Sequence, residues 1–177
     1  RIFTDPDLYQ LELEHIFEGS RLYLAHESQL PRPGDWFTLH MGRQPVVLMR
    51  GQDGQIRGFV NACAHRGAQL CRTQRGNAKF LTCPYHGWVY DSTGRNVEIK
   101  DHKTGAYPAS FEHQNHDLKP LPRLENYRGF LFGSLKAEVP ALGEYLAAAA
   151  GVIDALVDQS PDGLEVLRGC STYTFRG

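Results

Sequence analysis

Two short runs constrain this chain more than anything else in it: Cys63-Ala64-His65-Arg66-Gly67 and Cys83-Pro84-Tyr85-His86-Gly87-Trp88. Each offers one thiolate and one imidazole from a short loop, and the halves are separated by residues 66–82. With four cysteines in 177 residues, two of them beside histidines, the pattern reads as metal ligation rather than a disulfide framework. Two chemistries use two Cys and two His. One is a closed tetrahedral zinc site. The other is a two-iron, two-sulfide cluster in which Cys63 and Cys83 take one iron and His65 and His86 the other, from loops that face each other. Donor count does not separate them, but zinc fingers usually segregate their Cys and His pairs, and here each half mixes one of each. Spacing therefore favours the cluster. Gly67 and Gly87 follow the donors, where a loop must turn sharply and aim backbone N–H groups at bridging sulfides.

The balance of charge narrows the partners. A formal net charge of −1, with 19 Lys and Arg spread along the chain, gives no basic excess of the kind nucleic-acid binders carry. No apolar run approaches the ~20 residues of a bilayer span. The opening Arg1-Ile2-Phe3-Thr4-Asp5 lacks the basic-then-apolar layout of a signal peptide. The expectation is a soluble, cytoplasmic protein that binds neither nucleic acid nor membrane.

Along the chain, residues 5–17 predict a helix, with Asp5 as cap, Pro6 in the first turn and Gly19 after the end. From 36 to 135 the texture turns to short strands punctuated by Gly and Pro, with candidates at 36–41, 46–50, 56–61, 79–82, 88–90, 95–98 and 129–135. Gln52-Asp53-Gly54-Gln55 and Asp91-Ser92-Thr93-Gly94 supply hairpin turns, each with the Gly a positive φ needs. An irregular stretch at 100–119 holds three histidines, and loops of that length are usually functional or covering. Beyond Pro140 an Ala-rich segment to about Asp158 predicts one helix, and residues 164–175 alternate like a strand. The fold class expected is mainly β with flanking helices, an antiparallel β-sandwich carrying the donors on two loops.

The two runs closely resemble the C-x-H and C-x-x-H motifs of the Rieske iron–sulfur family, and H-R-G with C-P-Y-H-G-W resembles its oxygenase branch. The respiratory branch ties its loops with a disulfide; the corresponding positions here are Ala68 and Tyr85. Arg128-Gly129-Phe130-Leu131-Phe132-Gly133-Ser134-Leu135 and residues 163–175 are similar to the α subunit of aromatic-ring-hydroxylating dioxygenases, in the benzoate, toluate, anthranilate and halobenzoate group. The resemblance implies a Rieske domain at 36–135 between an N-terminal helical segment at 1–35 and a helix and strand at 136–177 that lead into a catalytic domain. It implies a 2Fe-2S cofactor at Cys63, His65, Cys83 and His86, and a mononuclear Fe(II) held by two His and a carboxylate in that further domain. It also implies an NADH-dependent reductase or ferredoxin as electron donor, other α subunits in a trimer with or without a small β subunit, and an aromatic substrate with dioxygen. No pair of histidines here fits the H-x-x-x-x-H of the family's mononuclear site, so the chain reads as the N-terminal part of a longer subunit with no catalytic residue of its own. The alternative is a stand-alone Rieske ferredoxin, a non-catalytic carrier.

Other candidates carry blander readings. Cys71 and Cys170 read as small buried hydrophobes. His113, His116 and Asp117 have the residue types of a facial triad but come from five consecutive positions, which favours a solvated loop. His15, His26, His40 and His102 read as surface or capping residues. Trp88 reads as a shield for the donors, because a dry shell tunes a metal site. Arg66 either neutralises a carboxylate or faces a partner.

Overall fold

In a computed structural model, which describes residues 2–105, 107–167, 169 and 172–174, the chain builds three antiparallel sheets. The middle one has strand order β4-β3-β2-β5, from β2 (Asp35–Met41), β3 (Gln44–Arg50), β4 (Ile56–Val60) and β5 (Arg75–Asn77). β3 explains why this sheet is central. Its run Val46-Val47-Leu48-Met49 is fully buried, Val46 and Leu48 in one core and Val47 and Met49 in another. A strand covered on both faces reads as a continuous apolar run rather than an alternation.

One flanking sheet, ordered β1-β10-β9, is made of β1 (Leu22–His26), β9 (Arg123–Tyr127) and β10 (Phe130–Ser134). Leu24, Ala25 and Leu131 meet Val46 and Leu48 there. The other, ordered β6-β7-β8, consists of β6 (Leu81–Thr82), β7 (Val89–Tyr90) and β8 (Asn96–Glu98). Leu81, Trp88 and Tyr90 join Val47 and Met49 in the second core, together with Cys63, Cys71 and Cys83. The predicted fold class therefore holds. Both predicted hairpin turns form, with Gly54 at φ 80° and Gly94 at φ 86°. At Gly94 a Cβ would also lie 2.3 Å from the Phe59 ring, so no other residue fits.

Several elements differ from the expectation. Residues 1–35 are not all helical: β1 lies within them and pairs with β10 more than a hundred residues away (Ala25↔Leu131). The first helix, α1 (Pro6–Glu12), capped by Asp5, widens into a π turn over Leu13–Phe17. The single Ala-rich helix is two, α2 (Leu142–Leu146) and α3 (Ala149–Val157), broken where Ala147 takes φ 44°. The break serves two tethers. Leu142 and Leu146 of α2 are buried against Phe132, while Asp154 of α3 accepts from Tyr127 Oη (3.0 Å) and Arg128 Nη1 (2.9 Å). Arg21, whose side chain is buried, forms an ion pair with Glu125 and donates to the Pro140 carbonyl through Nε (2.8 Å) and Nη2 (2.6 Å), which fixes the approach to α2.

The strand expected at 164–175 is not formed by the described residues of that stretch; Arg168, Cys170, Ser171 and Phe175 lie outside them. Alternation gives a segment one apolar face, but a strand also needs a ladder partner, and among the described residues none pairs with it. No helix among the described residues is long and apolar enough to cross a membrane.

Candidate metal centre

The two donor loops are cast in the same mould. In the first, the Cys63 N–H donates to Ala68 O and the Gly67 N–H to Cys63 O, both at 2.8 Å. In the second, the Cys83 N–H donates to Trp88 O (2.8 Å) and the Gly87 N–H to Cys83 O (3.0 Å). Gly67 and Gly87 occupy the same corner at φ 72° and 69°, where a Cβ would meet no neighbour, so the backbone conformation alone asks for glycine. The second loop closes the β6–β7 hairpin, with Thr82 paired to Val89. The first leaves β4 and is held by a residue the sequence reasoning missed. Asn61, 1% exposed, accepts the Leu70 (3.2 Å) and Cys71 (3.0 Å) N–H groups at Oδ1 and donates from Nδ2 to Cys71 O (2.8 Å). One Asn in a strand-to-loop junction leaves no spacing signal.

The mould brings the donors together in like pairs. Cys63 and Cys83, 3% and 2% exposed, are buried in the same core. The His65 and His86 rings lie 4.7 Å apart at 78°. His65 Nδ1 is buried with no hydrogen-bond partner. A buried imidazole nitrogen left unpaired is costly unless something binds it, and a metal is the natural ligand. Burial, then His86 and Arg66 nearby, hold the His65 pKa below its ordinary value, which keeps the ring neutral as ligation requires. Burial pushes the Cys63 thiol up, so a thiolate there calls for a cation to neutralise it. A closed tetrahedral zinc site needs four donors on one centre; two like pairs instead suit two metals, each completed by non-protein bridges.

Around the donors, Trp88 is 2% exposed and stacks on His65 at 4.9 Å and 14°. It is both core and shield. The 100–119 stretch covers it: Phe111 and His116 stack on each other at 4.1 Å and meet Trp88 edge-on at 5.9 and 5.3 Å. His116 thus packs in an aromatic cover rather than a solvated loop, and its Nε2 bonds to Phe111 O (2.9 Å). Asp117 caps β8 by accepting from Asn96 N (2.7 Å), so the possible triad of His113, His116 and Asp117 does not form. His26 is buried and caps the turn after β1 by accepting from Ser28 N. Cys71 is a buried thiol with its pKa pushed up to about 12 by burial, hence inert; Cys170 lies outside the described residues. Tyr85, by contrast with Trp88, is 68% exposed and shields nothing.

A protein-family model described as a Rieske [2Fe-2S] domain matches residues 20–124. The chain belongs to the Rieske [2Fe-2S] family. The donor set fits that family's cluster on the geometry above. This Rieske chain is 53% identical to toluate 1,2-dioxygenase subunit alpha of Pseudomonas putida, over 99% of this chain and 39% of that protein. It is 43% identical to the 2-halobenzoate 1,2-dioxygenase large subunit of Burkholderia cepacia, over 99% of this chain and 38% of that one. Among solved structures, naphthalene 1,2-dioxygenase from Rhodococcus sp. bound to indole superposes with a TM-score of 0.84 at 37% identity, over 94% of this chain and 38% of that chain. The Rieske chain thus spans about two fifths of the length of these relatives.

Proposed function

We propose that Cys63 and Cys83 bind one iron and His65 and His86 the other, in the electron-transfer domain of an aromatic-ring-hydroxylating dioxygenase α subunit. The observation that carries this is that two equivalent loops set the two imidazoles side by side and bury Cys63 and Cys83 in one core, with His65 Nδ1 buried and unpartnered. When bound, a 2Fe-2S group supplies one-electron storage between an NADH-dependent reductase or ferredoxin and a mononuclear non-haem iron that activates dioxygen in a further, catalytic domain. The protein's own contribution is local. The loops hold the donors, Trp88 and the cover of Phe111 and His116 exclude water on one side, and the exposed His86 leaves the other side open.

In this reading 36–135 is the cluster-bearing part, and α1, α2 and α3 lie where a catalytic domain would pack. The substrate class is an aromatic ring undergoing cis-dihydroxylation, with benzoate-like acids suggested by the relatives, and the assembly is a trimer of α subunits with or without a β subunit. The reducing cytoplasm suits cysteines used as thiolates. Near-complete coverage of this chain by α subunits, helices at both ends included, favours this over a stand-alone ferredoxin. The test is composition: the purified protein should carry two irons and two acid-labile sulfides per chain and show the visible absorption of a 2Fe-2S centre. Colourless protein containing zinc would overturn it.

Tyr90 tunes such a centre. Its oxygen accepts the Ala64 N–H (3.1 Å) and lies 3.1 Å from Cys63 Sγ, to which its O–H donates once Cys63 is a thiolate with no proton of its own. A donor to sulfur favours the more negative, reduced state. Losing a bond worth about 1 kcal/mol more in that state lowers a one-electron potential by about 40 mV. A redox titration of Tyr90→Phe should show a fall of that order, and an unchanged or higher potential at full iron content would contradict the arrangement.

A further inference from the structure

Beyond α3 the chain runs back across the turn at Glu27–Gln29 with little to hold it there. Among the described residues, the one hydrogen bond from 164–167 to the body of the protein is Val166 N–H to Ser28 Oγ (3.1 Å). Ser28 is itself fixed, its Oγ lying 2.9 Å from Nδ1 of the buried His26. A cleft lies to each side of this contact. One, of about 330 Å³, has Asp162, Gly163 and Leu164 on the segment facing Arg50 and Arg128 on the body. The other, of about 500 Å³, has Glu165, Val166 and Leu167 facing Arg32, Arg75 and Trp36. The cations of the two clefts differ in what engages them. Arg50 donates to the Leu30 and Gly54 carbonyls, and Arg128 pairs with Asp154 and Asp158. In the second cleft Arg32 meets Asp35 only at 3.5 Å, and that carboxylate already accepts from Arg32 N–H (2.9 Å) and Asn77 Nδ2 (2.8 Å). Among the described residues Arg75 pairs with no carboxylate, its guanidinium lying over the Phe37 ring at 5.3 Å, and Glu165 meets no cation or donor.

We propose that residues 163–167 are a strap that closes on the β2–β5 edge, Glu165 pairing with Arg75 and Leu167 covering Trp36. The opposite charges line one cleft and neither is neutralised elsewhere, so closing it joins them at little desolvation cost. Leu167 is 84% exposed, an apolar side chain with nothing over it. In an extended segment alternate side chains share a face, so Glu165 and Leu167 turn towards the cleft together. Gly163, at φ 83° with open space around its Cα, supplies the pivot. The landing surface is already set, because the Trp36 indole lies over Gly76, where a Cβ would sit 2.2 Å from the ring. Trp36 also packs against the core that contains Cys63 and Cys83. A closed strap therefore ties the chain after Leu167 to the core beneath the donor loops, and an open one lets that chain turn about Gly163. The proposal goes beyond the electron-transfer reading and holds with or without a bound cluster.

The test is zero-length cross-linking in the full-length subunit as isolated. With Arg75→Lys, a water-soluble carbodiimide should join the Glu165 carboxyl to the introduced amine, an amide located by peptide mass spectrometry. Its yield should fall several-fold as salt rises from about 20 to about 300 mM, and adding Glu165→Gln should abolish it. Hydrogen exchange reads the unaltered pair. Glu165→Gln or Arg75→Gln should speed exchange of the 164–167 amides about two- to fivefold at low salt, the range of an exposed ion pair. Glu165→Arg with Arg75→Glu should restore the parent rate. Both side chains are exposed, so these variants keep the fold, and the β2–β3 amides serve as the internal control. Absence of the amide, or exchange at 164–167 that ignores both salt and charge, overturns the strap. So does an amide formed in Arg32→Lys but not in Arg75→Lys, which would move the landing point, or an equal acceleration of the β2–β3 amides, which would mean general loosening. Iron and sulfide content decides the electron-transfer reading separately, since neither readout depends on a cluster.

Discussion

Exchanging His86 for cysteine is expected to lower the midpoint potential of the bound cluster by a few hundred millivolts while the protein keeps its iron. The ring is exposed, so a shorter side chain leaves no void in a core. A thiolate replaces a neutral donor, and the added negative charge penalises the reduced state. Centres with two imidazoles span about −150 to +300 mV and all-thiolate plant-type centres lie near −400 mV, which sets the size and sign of the drop. His65→Cys should move the potential the same way with poorer iron occupancy, because removing this ring uncovers the face of Trp88 on which it stacks. Redox titrations followed by visible absorption read both. A fully loaded His86→Cys protein whose potential is unchanged or higher would remove His86 from the ligand set.

Asn61→Ala should cost about 3–4 kcal/mol of stability, since it strands two N–H groups and a carbonyl in the interior at roughly 1–3 kcal/mol for each group left unsatisfied. The three bonds tie residues 70 and 71 back to the end of β4, so the first donor loop loses its anchor and iron content should fall as well. Asn61→Asp separates the parts: it keeps the acceptor facing Leu70 and Cys71 but puts an oxygen against the Cys71 carbonyl. Urea unfolding monitored by fluorescence measures the change. A loss under about 1 kcal/mol in Asn61→Ala would mean that water replaces the amide without penalty.

What the sequence made legible was whatever short-range chemistry writes. The candidate donors stood out by spacing, the two predicted turns by Asp and Gly, and the buried strand β3 by its unbroken apolar run. What it hid depends on distant partners. β5 is Arg75-Gly76-Asn77, polar and short, and exists because β2 pairs with it and because Gly76 lets the Trp36 indole approach where a Cβ would sit 2.2 Å from the ring. β1 looks like a continuation of the helical segment until β10 arrives to pair with it. Helix propensity favoured one Ala-rich helix, and tertiary tethers from Arg128 and Phe132 split it. At the site, Asn61 stayed invisible for a related reason: its meaning lies in the Leu70 and Cys71 backbone that faces it in space.

The strand β3 carries one more implication. Because Val46 and Leu48 belong to one core and Val47 and Met49 to the other, the two layers share a wall and cannot melt independently. Opening either exposes half of the strand's side chains and breaks the ladder that supports the rest, so unfolding is concerted rather than stepwise. A cofactor seated on one layer therefore holds the opposite layer folded too, although the β1-β10-β9 sheet contributes none of the proposed ligands.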